Sequence, residues 1–399
     1  MPQYVIELSR PVPEPKIPEL AKRIYFASPE IVDFSLVQEA DRVTGLIVTA
    51  DGDADPAELR RKLDIVVSRD VLPQRVHSMP AVWTSPHARH MEEQVFAELE
   101  ACGAIVEMGE GMYAVGQSFL TTMNALDRKL QDLATDAFRA VVYRYPTLLR
   151  TEVVRRAGYL DTFPQFLMSA SRIHADVDTY AEFTATLASA DDVDAHLDRF
   201  SEHFGYCLPP TMCFHTYQHL RDGRLPADGA VVTARGKSFR FESRYWHSLE
   251  RLWDFTIREI VFLGEEEAVV AQRRRFMDAA FRLMTELRLA GHTEVANDPF
   301  IGSDHTAELA LAQRIMGLKY ELRLPVEGGR TVAAGSFNLH GTKFGAAFGI
   351  ALPDGRPAHS ACVGFGLERL TYAFYCQHGT DRDRWPSDVH ETLGTGPDS

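Results

Sequence analysis

Cysteine, long apolar runs and positive charge are all in short supply in this chain. Five cysteines, Cys102, Cys207, Cys213, Cys362 and Cys376, are scattered over 399 residues. An odd, dispersed set makes no disulfide framework, so the thiols are expected to be free for packing or metal in a reducing cytoplasm. No apolar run approaches the roughly 20 residues of a membrane helix, so no membrane role is expected. The opening Met1-Pro-Gln-Tyr-Val-Ile-Glu-Leu8 has no basic stretch followed by an apolar one, which speaks against a secretion signal. Against 56 Asp and Glu there are 42 Lys and Arg, a net charge of −14. Nucleic-acid binding draws on phosphate neutralisation by Lys and Arg, so the whole-chain charge gives it no support. Internal repeats, low-complexity tracts and long heptad hairpins are missing too.

What is present describes a globular protein. A hydrophobic content of 45% is enough for a sizeable core, and the length predicts two domains. Residues 1–75 read as a small α/β unit. It has a strand at Tyr4–Leu8, a helix at Glu19–Tyr25 and a hairpin of Val32–Val37 with Val43–Thr49. A helix over Pro56–Arg69 is opened by Asp55 as cap. Residues 76–89, with Pro80 and Pro86 and little periodicity, read as a linker. Residues 90–385 form the main unit. They begin with a helix at Met91–Gly103, a hairpin over Ala104–Val115 and a long amphipathic helix at Leu120–Phe138, and strands alternate with helices thereafter. Residues 386–399, rich in Asp, Gly, Pro and Ser, read as a flexible tail.

Two segments carry chemistry. Phe239-Arg-Phe-Glu242 ends an alternating strand, Ser238–Glu242. A loop with Arg244, Tyr245, Trp246 and His247 follows, then a return strand, Leu252–Phe262. Alone, the tetrapeptide is a surface strand with an Arg–Glu cross-pair. Gly364-Phe-Gly-Leu-Glu-Arg369 follows the strand-like Ala361–Val363 and opens a helix, Leu367–Tyr375. Alone, it is a strand–helix turn with a solvated arginine. It is not a dinucleotide fingerprint, because the third glycine is absent and no βαβ unit fits so near the C-terminus. Arginine suits phosphate, since its planar fork grips oxygens bidentately and keeps its charge.

Together and in this order, the two segments resemble motifs 2 and 3 of class II aminoacyl-tRNA synthetases. Gly158-Tyr-Leu-Asp-Thr-Phe-Pro164, after the helix Thr151–Ala157, resembles motif 1 of the seryl enzymes, a helix and a strand ending in proline. Lys319-Tyr-Glu-Leu-Arg-Leu-Pro325 and Gly335-Ser-Phe-Asn338 resemble two further strands of that core. The resemblance implies an α+β fold, an antiparallel sheet flanked by helices, after the small N-terminal α/β domain. It implies ATP binding by Arg240 at the α-phosphate, Glu242 at the adenine end or the amino acid, and Phe255 stacked on adenine. Arg369 meets the γ-phosphate, Gly364 and Gly366 allow close approach, and Asn338 and the magnesium ligand Glu321 complete the set. Thr331-Val-Ala-Ala-Gly335 departs from the pattern, lacking the acidic metal ligand usual in that strand.

An isolated cysteine is ordinarily a small buried hydrophobe. The contexts here are more telling: Leu208-Pro-Pro-Thr-Met-Cys213, Arg258-Glu-Ile-Val, Ala296-Asn-Asp-Pro-Phe300, Ser336-Phe-Asn-Leu-His-Gly341 and Ala361-Cys362 before motif 3. They are similar to methanogen-type seryl-tRNA synthetases, and more so to the amino acid:[carrier protein] ligases that share their catalytic core. That resemblance implies zinc held by Cys213, Glu259 and Cys362, with an open position for the α-amino group of the substrate. Cys102, Cys207 and Cys376 are left as structural.

The function implied is ATP-dependent activation of an amino acid as aminoacyl-adenylate, then transfer to the phosphopantetheine thiol of a carrier protein. The resemblance also implies a homodimer through Thr151–Pro164, whose helix is expected to expose an apolar stripe. Two alternatives stand: a seryl-like tRNA synthetase using the N-terminal unit on tRNA, and a non-catalytic binding protein. The acidic balance and the missing coiled-coil arm weigh against tRNA, and the retained arginines against silence. The resemblance leaves the first 75 to 85 residues uncovered. Arg273-Arg-Arg275 is a solvated helix face or a carrier-protein contact, Glu265-Glu-Glu267 compensates a helix dipole, and His215 with His219 marks a helix face rather than a second metal site.

Overall fold

The computed structural model describes residues 1–52, 54–74, 81–242, 248–296 and 317–394. The loop of Arg244, Tyr245, Trp246 and His247, and the segment Asn297–Phe300, lie outside the described residues.

The N-terminal unit contains β1 (Gln3–Pro13), α1 (Ile17–Ile24), β2 (Ile31–Glu39), β3 (Arg42–Ala50) and α2 (Pro56–Ile65). The strands form an antiparallel sheet in the order β1-β3-β2. Alternation turns Ile6, Leu8, Leu46 and Val48 inward, where Leu20 and Ile24 of α1 and Leu59 and Leu63 of α2 cover them. The Asp55 carboxylate accepts the Ala57 N–H at 2.9 Å, as the cap predicts. Beyond Ile65 the helix widens to π geometry over Val66–Val71.

The main unit is built on a sheet of eight strands among the described residues. Its elements are β4 (Trp83–Thr84), α3 (Val95–Ala101), the hairpin β5 (Ile105–Gly109) and β6 (Met112–Val115), α4 (Gln117–Asp132) and β7 (Val141–Tyr143). A side sheet follows: β8 (Leu149–Arg150), α5 (Thr151–Arg156), β9 (Ser169–Ile173), α6 (Val177–Leu187), α7 (Val193–Phe200) and β10 (Ser201–Cys207). Next come α8 (Cys213–His219), β11 (Ala230–Phe239), β12 (Asp254–Gly264), α9 (Glu266–Glu286), β13 (His292–Val295), β14 (Lys319–Pro325) and β15 (Thr331–Gly341). The last are α10 (Lys343–Phe348), β16 (His359–Gly366), α11 (Leu367–His378) and α12 (Ser387–Leu393). The main sheet runs β4-β13-β14-β15-β16-β12-β11-β7 and is antiparallel except for the β7–β11 pair. Ile260, Phe262, Leu322, Phe337, Val363 and Phe365 point to one face, where buried residues of α4, α9 and α11 complete the core. The opposite face is left for the site.

Four expectations need correction. Residues 81–84 are not linker: β4 pairs with β13, and Trp83 stacks on Phe281 at 4.9 Å. An apolar run beside an open sheet edge gains both hydrogen bonds and burial by joining it. Residues 386–394 are not a frayed tail: α12 buries Val389 and Leu393, and Trp385 before it is buried too. The helix α5 is present, but a turn with Gly158 at φ +68° and a 3₁₀ turn at Pro164–Phe166 follow instead of a strand. Its apolar stripe is covered, because Val153, Val154 and Ala157 pack with Phe214, Tyr217 and Phe344 of the same chain.

The fourth concerns Arg273-Arg-Arg275 as one patch. Arg273 is buried and donates to the Gly317 carbonyl at 3.0 Å, Arg274 pairs with Asp278 at 3.4 Å, and Arg275 lies over Phe138. Consecutive helical residues diverge by about 100°, so three cannot share a face. His215 and His219 enclose the Tyr145 ring, and burial pushes His215 down to about 4. No described helix is long and apolar enough to cross a membrane.

Candidate active site

Strand register assembles the site. Glu321 pairs with Ser336, Ser336 with Gly364, Gly364 with Glu259, and Glu259 with Ala234. Paired residues project to the same side of a sheet, so one row crosses five strands on the face opposite the core. The adjacent row runs Lys319, Asn338, Cys362 and Val261. The cavity above them, of about 470 Å³, is lined by both rows and closed at one side by Phe163, Phe214 and Phe344.

At one end lie Cys213, Glu259 and Cys362, all buried, with one ligand atom from each within 4.8 Å of the others. Cys213 opens α8, and its N–H donates to Glu259 Oε2 at 2.8 Å. Thr211 Oγ1 donates to the same oxygen at 3.1 Å. These bonds aim the carboxylate at the two sulfurs. Burial raises Glu259 and Cys213 above their ordinary values, and the contact with Cys213 together with burial raises Cys362. Two thiols and a carboxyl, each disfavoured as an anion, form a site short of positive charge. A divalent cation would supply that charge, and a thiolate–carboxylate–thiolate set has the chemistry to hold zinc. His340 and Asn338, from β15, lie 3.3 and 3.6 Å from the Cys362 sulfur.

At the other end lie the arginines. Arg240 follows β11. Its Nε donates to the Pro210 carbonyl at 3.0 Å, and its guanidinium lies 5.5 Å from the Phe255 ring centre. Arg369, on the first turn of α11, donates one long bond, 3.4 Å, to the Ala333 carbonyl. Burial depresses Arg369 to about 10, with Arg251 and Arg240 pushing the same way and Glu242 and Glu321 opposing. A desolvated guanidinium with most donors unused among the described residues is set up for an anion. Gly364 and Gly366 leave the floor bare, and a β-carbon on Gly364 would stand 3.0 Å from Ile257. Neither carries a positive φ, so the missing side chain is what matters.

Burial pushes Glu321 up, but Lys319 at 3.1 Å, Arg323 at 3.4 Å and the field of Lys22 outweigh it and hold the carboxyl below its usual range. Glu242 is set back from the cavity, buried and bonded to Arg251 at 2.8 Å. Sequence reasoning gave no role to Glu368, whose oxygens accept the Thr256 N–H at 2.8 and 2.9 Å and tie α11 to β12. It also missed the cavity residues Lys319, His340 and Lys343. The two-residue spacing of Lys319 with Glu321, and of Ser336, Asn338 and His340, was the available signal.

No protein-family model matches the chain. Amino acid–[acyl-carrier-protein] ligase 2 of Bradyrhizobium diazoefficiens is 30% identical over 331 residues, which are 79% of this chain and 91% of that protein. Ligase 1 of the same organism is 28% identical, covering 82% of this chain and 95% of its own length. The type-2 serine–tRNA ligase of Methanococcus aeolicus is 29% identical over 63% of this chain, which spans only 50% of that enzyme. Among solved structures, Methanopyrus kandleri seryl-tRNA synthetase with A. aeolicus tRNASec superimposes with a TM-score of 0.69 at 21% identity, over 99% of this chain and 78% of that one. Seryl-tRNA synthetase of Pyrococcus horikoshii with ATP gives 0.57 at 13% identity, over 85% and 78%. The fold is that of class II seryl-tRNA synthetases.

Proposed function

The chain belongs to the family of amino acid–[acyl-carrier-protein] ligases, and on that premise we propose that it activates an amino acid with ATP and passes it to the phosphopantetheine thiol of a carrier protein. One observation carries this reading: a single cavity holds Arg240 and Arg369 at one end and the Cys213–Glu259–Cys362 cluster at the other.

Activation needs no covalent nucleophile from the protein. A carboxylate oxygen of the amino acid attacks the α-phosphorus, a new P–O bond forms, and the bond to the β-phosphate breaks with release of pyrophosphate. Arg240 neutralises charge on the α-phosphate, and Arg369, where α11 begins, holds the leaving end. Phe255 offers a ring face to adenine. Gly364 and Gly366 let the nucleotide lie against the sheet. Glu321, kept ionised by its cationic neighbours, would hold magnesium, which spreads triphosphate charge when bound. Cys213, Glu259 and Cys362 would hold zinc, which when bound takes only a neutral amine and so selects the α-amino group. In the second step the thiol attacks the adenylate carbonyl, forming the thioester and releasing AMP. The dependence on thiols and metal suits a reducing compartment such as the cytoplasm.

The N-terminal unit is included in the 99% superposition on a tRNA-bound synthetase, which favours tRNA as the second acceptor to consider. The net charge of −14 favours the carrier. Labelled amino acid and ATP, supplied with total tRNA or with phosphopantetheinylated carriers, decide between them. Label on a carrier is the expected result. RNase-sensitive label on tRNA alone would overturn the acceptor and leave adenylation intact. We also propose a homodimer, through the β7 edge instead of α5: Val141 and Val142 are 55% and 48% exposed on an edge strand. A monomer by light scattering at micromolar concentration would refute it.

A further inference from the structure

Alternation along β15 brings two nitrogens to one sulfur. Asn338 and His340 are two residues apart, and both line the cavity. Asn338 Nδ2 lies 3.6 Å and His340 Nε2 3.3 Å from the sulfur of Cys362 on the neighbouring strand β16. Asn338 Nδ2 also lies 3.3 Å from Ser336 Oγ, so its donors are divided. The His340 ring is seated among aromatic neighbours, Phe344 at 4.7 Å and 63° and Tyr217 at 6.5 Å and 88°. Tyr217 is fully buried and stacks on Phe344 at 4.4 Å, so the slot that aims the ring is itself packed.

The other sulfur is served differently. Thr211 Oγ1 lies 3.5 Å from the Cys213 sulfur but 3.1 Å from Glu259 Oε2, and its single proton goes to the nearer carboxylate oxygen. The Cys213 N–H goes to that carboxylate as well, at 2.8 Å. Charge makes the difference matter. Two thiolates and a carboxylate bring three negative charges to a divalent ion, which leaves one in surplus. All three ligands are only 3–4% exposed, and buried charge is costly without hydrogen bonds. A metal-bound thiolate has no proton to give. The contact between His340 and Cys362 then holds only with the ring nitrogen as donor.

We propose that His340 is a positioning residue of the metal centre: its Nε2–H donates to the Cys362 sulfur, fixes the direction of that ligand and draws charge off it. The proposal rests on the metal reading of the Cys213–Glu259–Cys362 cluster. A thiolate that shares its charge with a donor gives less of it to the metal, which keeps more attraction for an amine at the open position. The two thiolates are then unequal ligands.

The test uses the full chain as parent, His340→Phe and His340→Gln, each loaded with cobalt(II) or with zinc. Phenylalanine keeps a ring packed against Phe344 and Tyr217 and removes the N–H. Glutamine brings an amide N–H to the place of Nε2. Absorption of the cobalt protein reads the sulfur-to-metal charge-transfer band, and chelator competition reads the zinc Kd. Nitrogen NMR of the zinc-loaded parent reads which ring nitrogen carries the proton, and circular dichroism verifies the fold. His340→Phe should move the band to longer wavelength, because the sulfur regains charge, and should weaken zinc about 10- to 100-fold. His340→Gln should stay close to the parent in both, and Nε2 of the parent should be protonated. A folded His340→Phe with the parental band overturns the proposal. So does weaker zinc with an unshifted band, which is what lost packing alone would give. A parent with a bare Nε2 overturns it even if neither variant folds. A parent that takes up no metal sinks the metal reading along with it.

Discussion

Replacing Arg369 with methionine should move stability and ligand binding in opposite directions. Burial lowers the guanidinium from 12.5 to about 10. A cation whose pKa falls on folding costs stability wherever it is charged in the folded state, here at any pH below about 10, and the cost is relieved only as pH rises beyond that. At 1.36 kcal/mol per unit the cost is about 3 kcal/mol, and solvent in the cavity reduces it to about 1–3 kcal/mol. Methionine keeps the aliphatic stem and removes the charge. Without ligand, Arg369→Met should melt about 2–12 °C above the parent, taking about 2–4 °C per kcal/mol for a large domain. With Mg·ATP the order should reverse. The parent gains a charge-assisted grip on the triphosphate, and the variant loses about 100-fold in affinity, as for two charged hydrogen bonds of about 1.5 kcal/mol each. Thermal unfolding of both proteins with and without Mg·ATP reads all four states. The reasoning is refuted if the variant melts below the parent without ligand, or if Mg·ATP protects both equally.

The remaining predictions concern metal, a buried ion pair and acid. Metal analysis should find about one zinc per chain; Cys213→Ser and Cys362→Ser should lose it, whereas Cys102→Ser, on the exposed Cys102, should keep it, and the converse pattern rejects the cluster. Arg258 on β12 bonds Asp127 of α4 at 2.7 and 2.8 Å, with both side chains buried. Asp127→Ala should cost about 3–5 kcal/mol by urea unfolding, and the apolar pair Asp127→Leu with Arg258→Met should recover most of it; a cost under about 1 kcal/mol would show the pair to be idle. Glu19 is buried, which raises its pKa, yet Lys22 and Arg23 pull it from 4.5 to about 2. A depressed carboxyl contributes stability above its unfolded value and loses it as pH falls through the folded one. Glu19→Gln should therefore lower the urea midpoint at pH 7 and flatten the parent's decline between pH 4.5 and 2. Identical acid limbs would contradict this.

Contiguous chemistry was legible from the sequence. The bare floor at Gly364 and Gly366, the arginine opening a helix at Arg369, the Asp55 cap and the alternation of β1–β3 are local properties, fixed by neighbours two to four residues apart. The Cys213, Glu259 and Cys362 set came through family likeness, since no spacing rule joins residues so far apart. Only tertiary structure decided what each face meets. Register set Glu321, Ser336, Gly364 and Glu259 in one row. It also turned Arg258 toward α4 while its neighbour Glu259 faced the cavity. The same holds for the corrected segments. Periodicity revealed that α5 has an apolar stripe, but not that Phe214 and Phe344 already cover it. Composition made 386–394 look frayed, though Trp385, Val389 and Leu393 found a core to enter. A side chain's pattern is set along the chain, whereas its burial depends on which distant segment arrives opposite, and that partner is chosen by packing.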